Sequence, residues 1–319
     1  MDKISVLISV YNEPIDWIES ALLSLKNQIG LGVSFNVEVC LVLDSPKRKE
    51  EISNANLFLG FEGVEINYIV NDENLGLARS LNIAANNSTG NFIARLDADD
   101  ICYPNRFMSQ LEFLKKNVNS HVGLVGTGIE RIDENGHHLS YAFLPSKSEI
   151  LKRWVTYKAV AYHPTWLMRK DVFFKLKGYR PYPNSQDLDF ILRAFEQGVI
   201  VSNLNSPLLK YRINSASLSI SHSLRQRKCQ YHIIKQSRLR KTQGSDKFSE
   251  AEMLNYISSR KIVANLHSIS QRMFIKSRDS DSSFCKMFFF LGAVIISPYQ
   301  MLHVFRMLYF KIFIEKYSE

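Results

Sequence analysis

The stretch Asn91-Phe-Ile-Ala-Arg-Leu-Asp97-Ala-Asp99-Asp100 decides the fold. The part up to Leu96 is a short, mainly apolar run, which is typical of a buried strand in a parallel sheet. Three carboxylates follow within four positions, where this strand would end. Because ligands of open α/β sheets bind beside the carboxyl ends of the strands, the stretch predicts a strand with a site directly after it.

Three strand–helix units precede this strand and set the fold class. Strands are predicted at Ile4–Val10, Val37–Leu43 and Val64–Val70, and helices at Pro14–Gln28, Lys47–Leu59 and Gly76–Asn86. This alternation predicts an α/β domain with a mostly parallel central sheet flanked by helices. The carboxyl ends of its strands would bring Tyr11-Asn12-Glu13 and Asp44 close to the acidic stretch.

The last third of the chain differs from the rest in pattern and charge. Helices are predicted at 218–241 and 248–276, so we expect a catalytic domain at 1–217 and a basic helical region at 218–319. Residues 1–221 carry 23 Lys and Arg against 24 Asp and Glu, whereas residues 222–319 carry 17 against 7. The basic helices favour a peripheral contact with an anionic membrane over a solvated appendage. No nucleic-acid-binding module is visible, and no oligomeric state is predicted.

The compartment follows from cysteine usage and from the N-terminus. The four cysteines are far apart and form no C-x-x-C pair, which disfavours disulfides and zinc and fits a reducing compartment. The apolar run Ile4–Val10 is too short for a signal peptide, and Met287–Tyr299 is too short to span a bilayer. A cytoplasmic protein is therefore expected.

Three crowded carboxylates repel one another unless a cation or a helix N-terminus offsets their charge. Mg²⁺ and Mn²⁺ prefer such oxygen ligands. On an extended chain, Asp97 and Asp99 would point to opposite sides, one toward a sugar nucleotide and one toward a metal. The alternative is an acidic turn that caps the helix after Pro104. The chain has no glycine-rich phosphate loop, so a bound nucleotide would need a metal.

Several blocks resemble the family 2 glycosyltransferases of the GT-A fold, above all the bacterial branch that builds O-antigen, capsule and exopolysaccharide. They are Asn74-Leu-Gly-Leu-Ala-Arg79-Ser-Leu-Asn82, the stretch from Gly90 to Asp100, Pro104-Asn-Arg106-Phe, Ser9-Val-Tyr11-Asn12-Glu13, His163-Pro164 and Gly178-Tyr179. The resemblance covers roughly residues 3–215.

The resemblance implies a role for each matching residue. Ser9, Tyr11 and Glu13 would line the nucleobase and ribose pocket, Asp44 would bind uracil, and Arg79 would lie near the base or diphosphate. Asp97 would contact ribose or metal, and Asp99 would be the principal Mn²⁺ or Mg²⁺ ligand. Asp187 would be the general base. Two positions depart from the family pattern: Leu43-Asp44 replaces Asp-Asp, and Gln186-Asp187 replaces Glu-Asp.

Some residues keep a second interpretation. Asp187 is also suited to a helix N-cap, and Asp189 competes as the base, although a helix would turn it away. His163 and Asp100 are accessory or acceptor-side candidates, with metal ligation a weaker reading of His163. Arg169 could contact the acceptor diphosphate or simply be an exposed charge. Four aromatic residues could form a sugar platform or belong to the core: Trp154, Tyr157, Tyr162 and Trp166.

The resemblance thus implies an inverting hexosyl- or N-acetylhexosaminyltransferase that uses a UDP-sugar and a divalent cation. Its acceptor would be a polyprenyl-diphosphate-linked oligosaccharide at the inner face of the cytoplasmic membrane. A sugar nucleotidyltransferase is disfavoured because its glycine-rich basic loop is missing. A non-catalytic nucleotide-sugar-binding subunit of an assembly complex is the alternative from another class.

Overall fold

The computed structural model describes residues 1–55, 57, 63–116, 122–213 and 223–316. Within them, nine strands form one sheet. The strands are β1 (Asp2–Val10), β2 (Phe35–Leu43), β3 (Val64–Val70), β4 (Phe92–Arg95), β5 (Ile101–Cys102), β6 (Val122–Ile132), β7 (His138–Ala142), β8 (Leu167–Arg169) and β9 (Ile200–Arg212). Their order is β3-β2-β1-β4-β8-β6-β9-β5, with β7 paired to β6.

The sheet has two halves. Strands β1 to β4 are parallel, as expected; the apolar runs of β1, β2 and β4 are buried on both faces, whereas the edge strand β3 is mostly half-buried. In the other half, β8 runs antiparallel to β4 and β6, while β6 and β9 are parallel. Strand β9 was not predicted, because Asn203, Asn205 and Pro207 are typical of a turn. The register of β9 against β6 shifts there, which accommodates the proline.

Among the described residues, seven α-helices lie between strands in the chain and five follow the last strand. They are α1 (Ile15–Lys26), α2 (Lys49–Asn54), α3 (Leu77–Asn86), α4 (Arg106–Lys116), α5 (Ser148–Trp154), α6 (Lys170–Lys175), α7 (Gln186–Glu196), α8 (Ser223–Gln243), α9 (Glu250–Ile257), α10 (Lys261–Asp279), α11 (Ser283–Ile296) and α12 (Pro298–Tyr309). The helix predicted at 47–59 is shorter, and its predicted end lies partly outside the described residues. The helix predicted at 248–276 is two helices, because the chain breaks between Ile257 and Lys261.

A buried carboxylate lies where β1 and β2 begin, an end of the sheet that we call the amino edge. Glu38 is 3% exposed and accepts hydrogen bonds from Ser5 Oγ at 2.5 Å, from Thr89 N and Oγ1 at 2.5 Å each and from Gly90 N at 3.1 Å. Lys3 Nζ lies 2.8 Å from Glu38 Oε2. Burial alone would raise the pKa of Glu38, but these partners lower it to about 2.

The chain divides into two compact units: Met1–Lys152 with Ala159–Asn214, and Arg153–Lys158 with Ser215–Glu319. The first unit contains the sheet, and the second contains α8 to α12. The domain boundary expected after residue 217 lies outside the described residues. Trp154 and Tyr157 pack on Phe310 in the second unit, with ring centroids 5.4 and 5.5 Å apart. They therefore belong to a different unit from the acidic stretch.

Helix α8 differs from the basic amphipathic helix that we expected. Lys228 is buried and donates hydrogen bonds to the carbonyls of Tyr256 and Ser258. Arg227 donates to Gln300 Oε1 at 3.0 Å. These cations hold the helical unit together, because each faces polar atoms of a neighbouring helix. Four exposed cations remain on α8: Arg225, Lys235, Arg238 and Lys241.

The apolar surface of the second unit lies instead on α11 and α12. Phe288 is 60% exposed, Ile295 79% and Phe305 60%, far more than core side chains of this kind. Among the described helices, none is long and apolar enough by itself to cross a bilayer. By length and composition, the pair Ser283–Ile296 and Pro298–Glu315 passes that test jointly, with a bend of 117° between the two helices.

Candidate functional site

Strand β4 ends in an acidic loop, residues 96–100. Carboxylate oxygens of Asp97, Asp99 and Asp100 all lie within 4.8 Å of one another. The prediction that Asp97 and Asp99 point to opposite sides was wrong, because the backbone turns and Asp100 N donates to Asp97 O at 3.2 Å. The turn places three oxygen ligands around one point, as a divalent cation requires.

Two arginines hold the acidic loop, and the sequence analysis gave neither a role. Arg95 is buried and forms an ion pair with Asp97. Arg212, at the end of β9, donates from Nε to Asp99 O at 2.9 Å, and its backbone N donates to Asp100 Oδ1 at 2.9 Å. Among the described hydrogen bonds, Asp100 is thus paired with β9 and not with α4, which argues against the helix-capping alternative.

The electrostatics of the acidic loop fit a cation. Burial and the charges of Asp97 and Glu13 raise the pKa of Asp99 to about 7. Burial and the neighbouring carboxylates also raise the pKa of Asp100. Asp100 Oδ2 is buried and has no hydrogen-bond partner among the described residues. Such an oxygen is costly unless a cation is near it, so the donor set fits Mn²⁺ or Mg²⁺.

Residues expected to bind the donor surround the carboxyl ends of β1 and β2. Ser9 lies at the end of β1 and is 9% exposed, while Tyr11 is 46% exposed. Glu13 accepts a hydrogen bond from Tyr11 N at 2.6 Å and lies close enough to Asp99 to raise its pKa. Arg79 is exposed on α3. The fold therefore gathers these residues and the acidic loop at one edge, which we call the carboxyl edge.

Asp44 has a structural task that the sequence analysis missed. It is 2% exposed, and its Oδ1 accepts from Asn71 Nδ2 and Leu75 N at 2.8 Å each. Its Oδ2 accepts from Gly76 N at 2.8 Å. Gly76 has φ of +81°, a conformation that favours glycine. Asp44 thus fixes the loop that leads into α3, and contact with uracil stays a prediction.

Comparison with known proteins matches this architecture. Residues 5–176 match the model of the family described as glycosyl transferase family 2. An uncharacterised glycosyltransferase of Methanocaldococcus jannaschii is 32% identical over 74% of this chain and 80% of its own length. The chain belongs to glycosyltransferase family 2.

Two further comparisons agree with this assignment. The amylovoran biosynthesis glycosyltransferase AmsE of Erwinia amylovora is 30% identical to this transferase over 66% of the chain and 76% of its own length. The crystal structure of residues 1–349 of S. aureus TarS has a TM-score of 0.57 at 16% identity, covering 92% of this chain and 79% of that one. The transferase therefore has a GT-A-like fold, as the sequence predicts.

The expected base of this glycosyltransferase lies in the first turn of α7. Ser185 is the N-cap residue of that helix, so the N-cap interpretation of Asp187 is wrong. Burial, and then the charge of Asp97, raise the pKa of Asp187, whereas the backbone N–H of Leu188 lowers it. Asp189 is fully buried and pairs with Arg193 at 2.7 Å, so it is turned away as expected.

His163 and Tyr179 form a pair, and the charge of Asp187 acts on Tyr179. His163 Nε2 lies 2.8 Å from the Tyr179 hydroxyl, and the His163 ring packs on Trp166 with centroids 4.7 Å apart. Burial and the charge of Arg95 lower the pKa of His163. The three-aspartate group of the acidic loop includes no histidine, so His163 lies outside it. The pairing of Nε2 with Tyr179 and the position outside the three-aspartate group disfavour metal ligation by His163, and contact with a sugar hydroxyl stays a prediction.

Arg169 lies away from the site. Strand β8 runs antiparallel to β4 and pairs Arg169 with Phe92, the first residue of β4. Arg169 Nε donates to Val122 O at 3.4 Å and Nη2 donates to Leu114 O at 3.3 Å. The prediction that Arg169 contacts an acceptor was wrong, because the sequence does not reveal that β8 is antiparallel.

Proposed function

We propose that this glycosyltransferase is an inverting enzyme that moves a sugar from a UDP-sugar to a lipid-linked acceptor in surface polysaccharide synthesis. The observation that carries the proposal is the three-aspartate group with the unpaired, buried Asp100 Oδ2. The described activity of one relative and the bound ligand of one structural neighbour support this choice of acceptor and donor. An E. coli enzyme 25% identical over 241 residues is a galactosyltransferase acting on α-D-GlcNAc-diphosphoundecaprenol. S. aureus TarS was crystallised with UDP-GlcNAc.

Each step of inverting transfer has a candidate residue at the carboxyl edge. Asp99, with Asp97 and Asp100, would hold Mn²⁺ or Mg²⁺, which neutralises the departing nucleoside diphosphate. Asp187 takes the proton of the acceptor hydroxyl, and its raised pKa brings it closer to that task at neutral pH. Tyr179 and His163 orient the acceptor next to Asp187. No nucleophile from the protein is required.

The test of this proposal is an Asp187→Asn variant. We expect UDP release with UDP-hexoses or UDP-N-acetylhexosamines to fall by about 10²- to 10⁴-fold, since the variant lacks the base. Affinity for UDP with Mn²⁺ should change less than about two-fold. Unchanged transfer would exclude Asp187 as the base. A wild-type protein that binds UDP-sugars but transfers none would favour a non-catalytic binding subunit.

We also propose that the protein meets its lipid acceptor peripherally, at the inner face of the cytoplasmic membrane. The exposed apolar residues of α11 and α12 would enter the lipid interface, and the exposed cations of α8 would attract anionic head groups. An Ile295→Glu, Phe288→Glu variant should lose co-sedimentation with liposomes that contain phosphatidylglycerol. The control is Val33→Glu, since Val33 is 81% exposed on the first unit. Equal binding of all three proteins would refute this contact.

A further inference from the structure

Two neighbouring residues of β6, Glu130 and Arg131, point to opposite faces of the sheet. On one face, Glu130 accepts a hydrogen bond from the Tyr103 hydroxyl and lies 2.8 Å from His138 Nδ1. Lys210 is its register partner on β9. Burial raises the pKa of Glu130, but these partners lower it. The charges on this face therefore balance one another and need no ligand.

On the other face, Arg131 has far fewer partners. Its register partners are Ser140 on β7 and Tyr211 on β9. Among the described hydrogen bonds, its guanidinium donates only to Ser140 Oγ, at 3.4 Å. A guanidinium carries five N–H donors, so most of those of Arg131 lack a protein acceptor in the described part of the chain. The side chain is partly exposed, and none of its nitrogens is among the buried, unpartnered atoms of the described residues, so its free donors are accessible to a ligand.

Three other arginines of the first unit, by contrast, use their guanidinium groups in ion pairs and hydrogen bonds with the protein. Arg95 pairs with Asp97. Arg193 donates to Asp189 Oδ2 at 2.7 Å and to Gly178 O at 2.9 Å. Arg212 donates to Asp99 O and, at 2.8 Å, to Glu134 O. Arg131 differs from these three because its donors are not consumed by the fold.

Tyr211 connects Arg131 to the acidic loop. The next residue, Arg212, donates its backbone N–H to Asp100 Oδ1, so this end of β9 touches the loop. Burial and the charges of Asp97 and the other two aspartates raise the pKa of Tyr211, and the charge of Arg131 opposes that rise. Tyr211 is thus the register partner of Arg131 and also feels the charges of the acidic loop.

The position of Arg131 points to the acceptor and not to the donor. The residues expected to bind the nucleotide lie at the ends of β1 and β2, in the parallel half of the sheet. Arg131 lies on β6 in the other half, separated from β1 by β4 and β8 and directly beside Tyr211 on β9. Tyr162 is a further hydroxyl near Arg131, since burial raises the pKa of Tyr162 and the charge of Arg131 opposes that rise.

We propose that Arg131, flanked by the hydroxyls of Tyr211 and Tyr162, binds a phosphate group of the acceptor. This inference rests on the proposed function and gives its acceptor a chemical class, a sugar that carries a phosphate or diphosphate. A guanidinium binds phosphate through two parallel hydrogen bonds. It would also offset the repulsion between an anionic acceptor and the acidic loop. The donor diphosphate presents the same chemistry, so the experiment separates the two sources.

The experiment is calorimetric titration of geranyl diphosphate, a short prenyl diphosphate, into full-length protein saturated with UDP and Mg²⁺. Saturation with UDP blocks the donor site. We expect the wild type to bind and Arg131→Gln to bind at least about ten-fold more weakly. Arg131→Lys keeps the positive charge but cannot form two parallel hydrogen bonds, so its affinity for geranyl diphosphate should lie between those of the wild type and Arg131→Gln. Lys175→Gln, an exposed residue of α6, makes the same charge change and should bind like the wild type.

Affinity for UDP, titrated separately, should stay within about two-fold in all variants. Three results would overturn the inference: no binding by the wild type, equal binding by Arg131→Gln, or loss of UDP affinity in Arg131→Gln. The last would assign Arg131 to the donor. Failure of the proposed function would give a different result. A wild type that binds geranyl diphosphate but consumes no UDP-sugar would support the phosphate site and contradict the proposed transferase activity.

Discussion

Buried carboxylates lie at both edges of the same sheet, but in opposite electrostatic states. At the amino edge, Glu38 accepts hydrogen bonds and forms an ion pair with Lys3, and these partners lower its pKa to about 2. At the carboxyl edge, Asp99 faces other carboxylates, and its pKa rises to about 7. A buried carboxylate that is fully paired stabilises a fold, whereas a crowded one costs stability until a cation arrives. This difference in pKa assigns a structural role to the carboxylate at the amino edge and a metal-binding role to the carboxylates at the carboxyl edge.

The largest expected effect comes from Asp99→Asn. Because the variant lacks the carboxylate that we propose as the principal metal ligand, UDP release in the presence of Mn²⁺ should fall at least about 10³-fold. Initial rates with a UDP-sugar measure this. Asp171→Asn, an exposed aspartate of α6, is the matched control and should keep the wild-type rate. An Asp99→Asn enzyme with a third of the wild-type rate would contradict the assignment.

The next effect lies at the amino edge and concerns stability alone. Glu38→Gln should lower the free energy of unfolding by about 3 kcal/mol, since the variant leaves Lys3 and several donors without an ionised partner. Urea unfolding measures the loss. Glu65 also pairs with Lys3, but its side chain is 67% exposed, so Glu65→Gln should cost less than about 1 kcal/mol. If the folded Glu38→Gln protein lost transfer more than ten-fold, the separation of the edges would be wrong.

The smallest effect is a pH dependence of opposite sign at the two edges. The lowered pKa of Glu38 gives stability that is present above pH 4.5 and lost as pH falls toward 2. The raised pKa of Asp99 gives stability that is present below pH 3.8 and lost as pH rises through 7.

Without metal, the wild type should therefore lose about 1 kcal/mol between pH 6 and pH 8, relative to Asp99→Asn. Thermal unfolding in EDTA measures this difference. Parallel stability curves for the two proteins would show that Asp99 does not titrate in this range. Added Mn²⁺ should stabilise the wild type more at pH 8 than at pH 6, because protons compete for the same oxygens.

Much of the first unit could be predicted from the sequence. The apolar runs of β1, β2 and β4 are buried on both faces, so their pattern is clear, and the acidic loop follows β4. The gathering of Ser9, Glu13 and Asp99 at one edge follows from the parallel order alone.

The rest depends on long-range pairing that no local pattern encodes. Strand β9 contains asparagine and proline residues that are typical of turns, so Tyr211 and Arg212 received no role. Arg169 was misplaced because nothing local reveals that β8 runs antiparallel to β4. The turn after Leu96 depends on contacts of Arg95 and Arg212 with residues distant in sequence.

The most direct test is the binding of Mn²⁺ in the presence of UDP, followed by electron paramagnetic resonance. We expect one bound Mn²⁺ per wild-type chain and the same affinity for Mn²⁺ in Glu38→Gln. Asp99→Asn should lose affinity for Mn²⁺ by at least about ten-fold. Binding of Mn²⁺ by Asp99→Asn as tightly as by the wild type would contradict the claim that the acidic loop is the metal site of this glycosyltransferase.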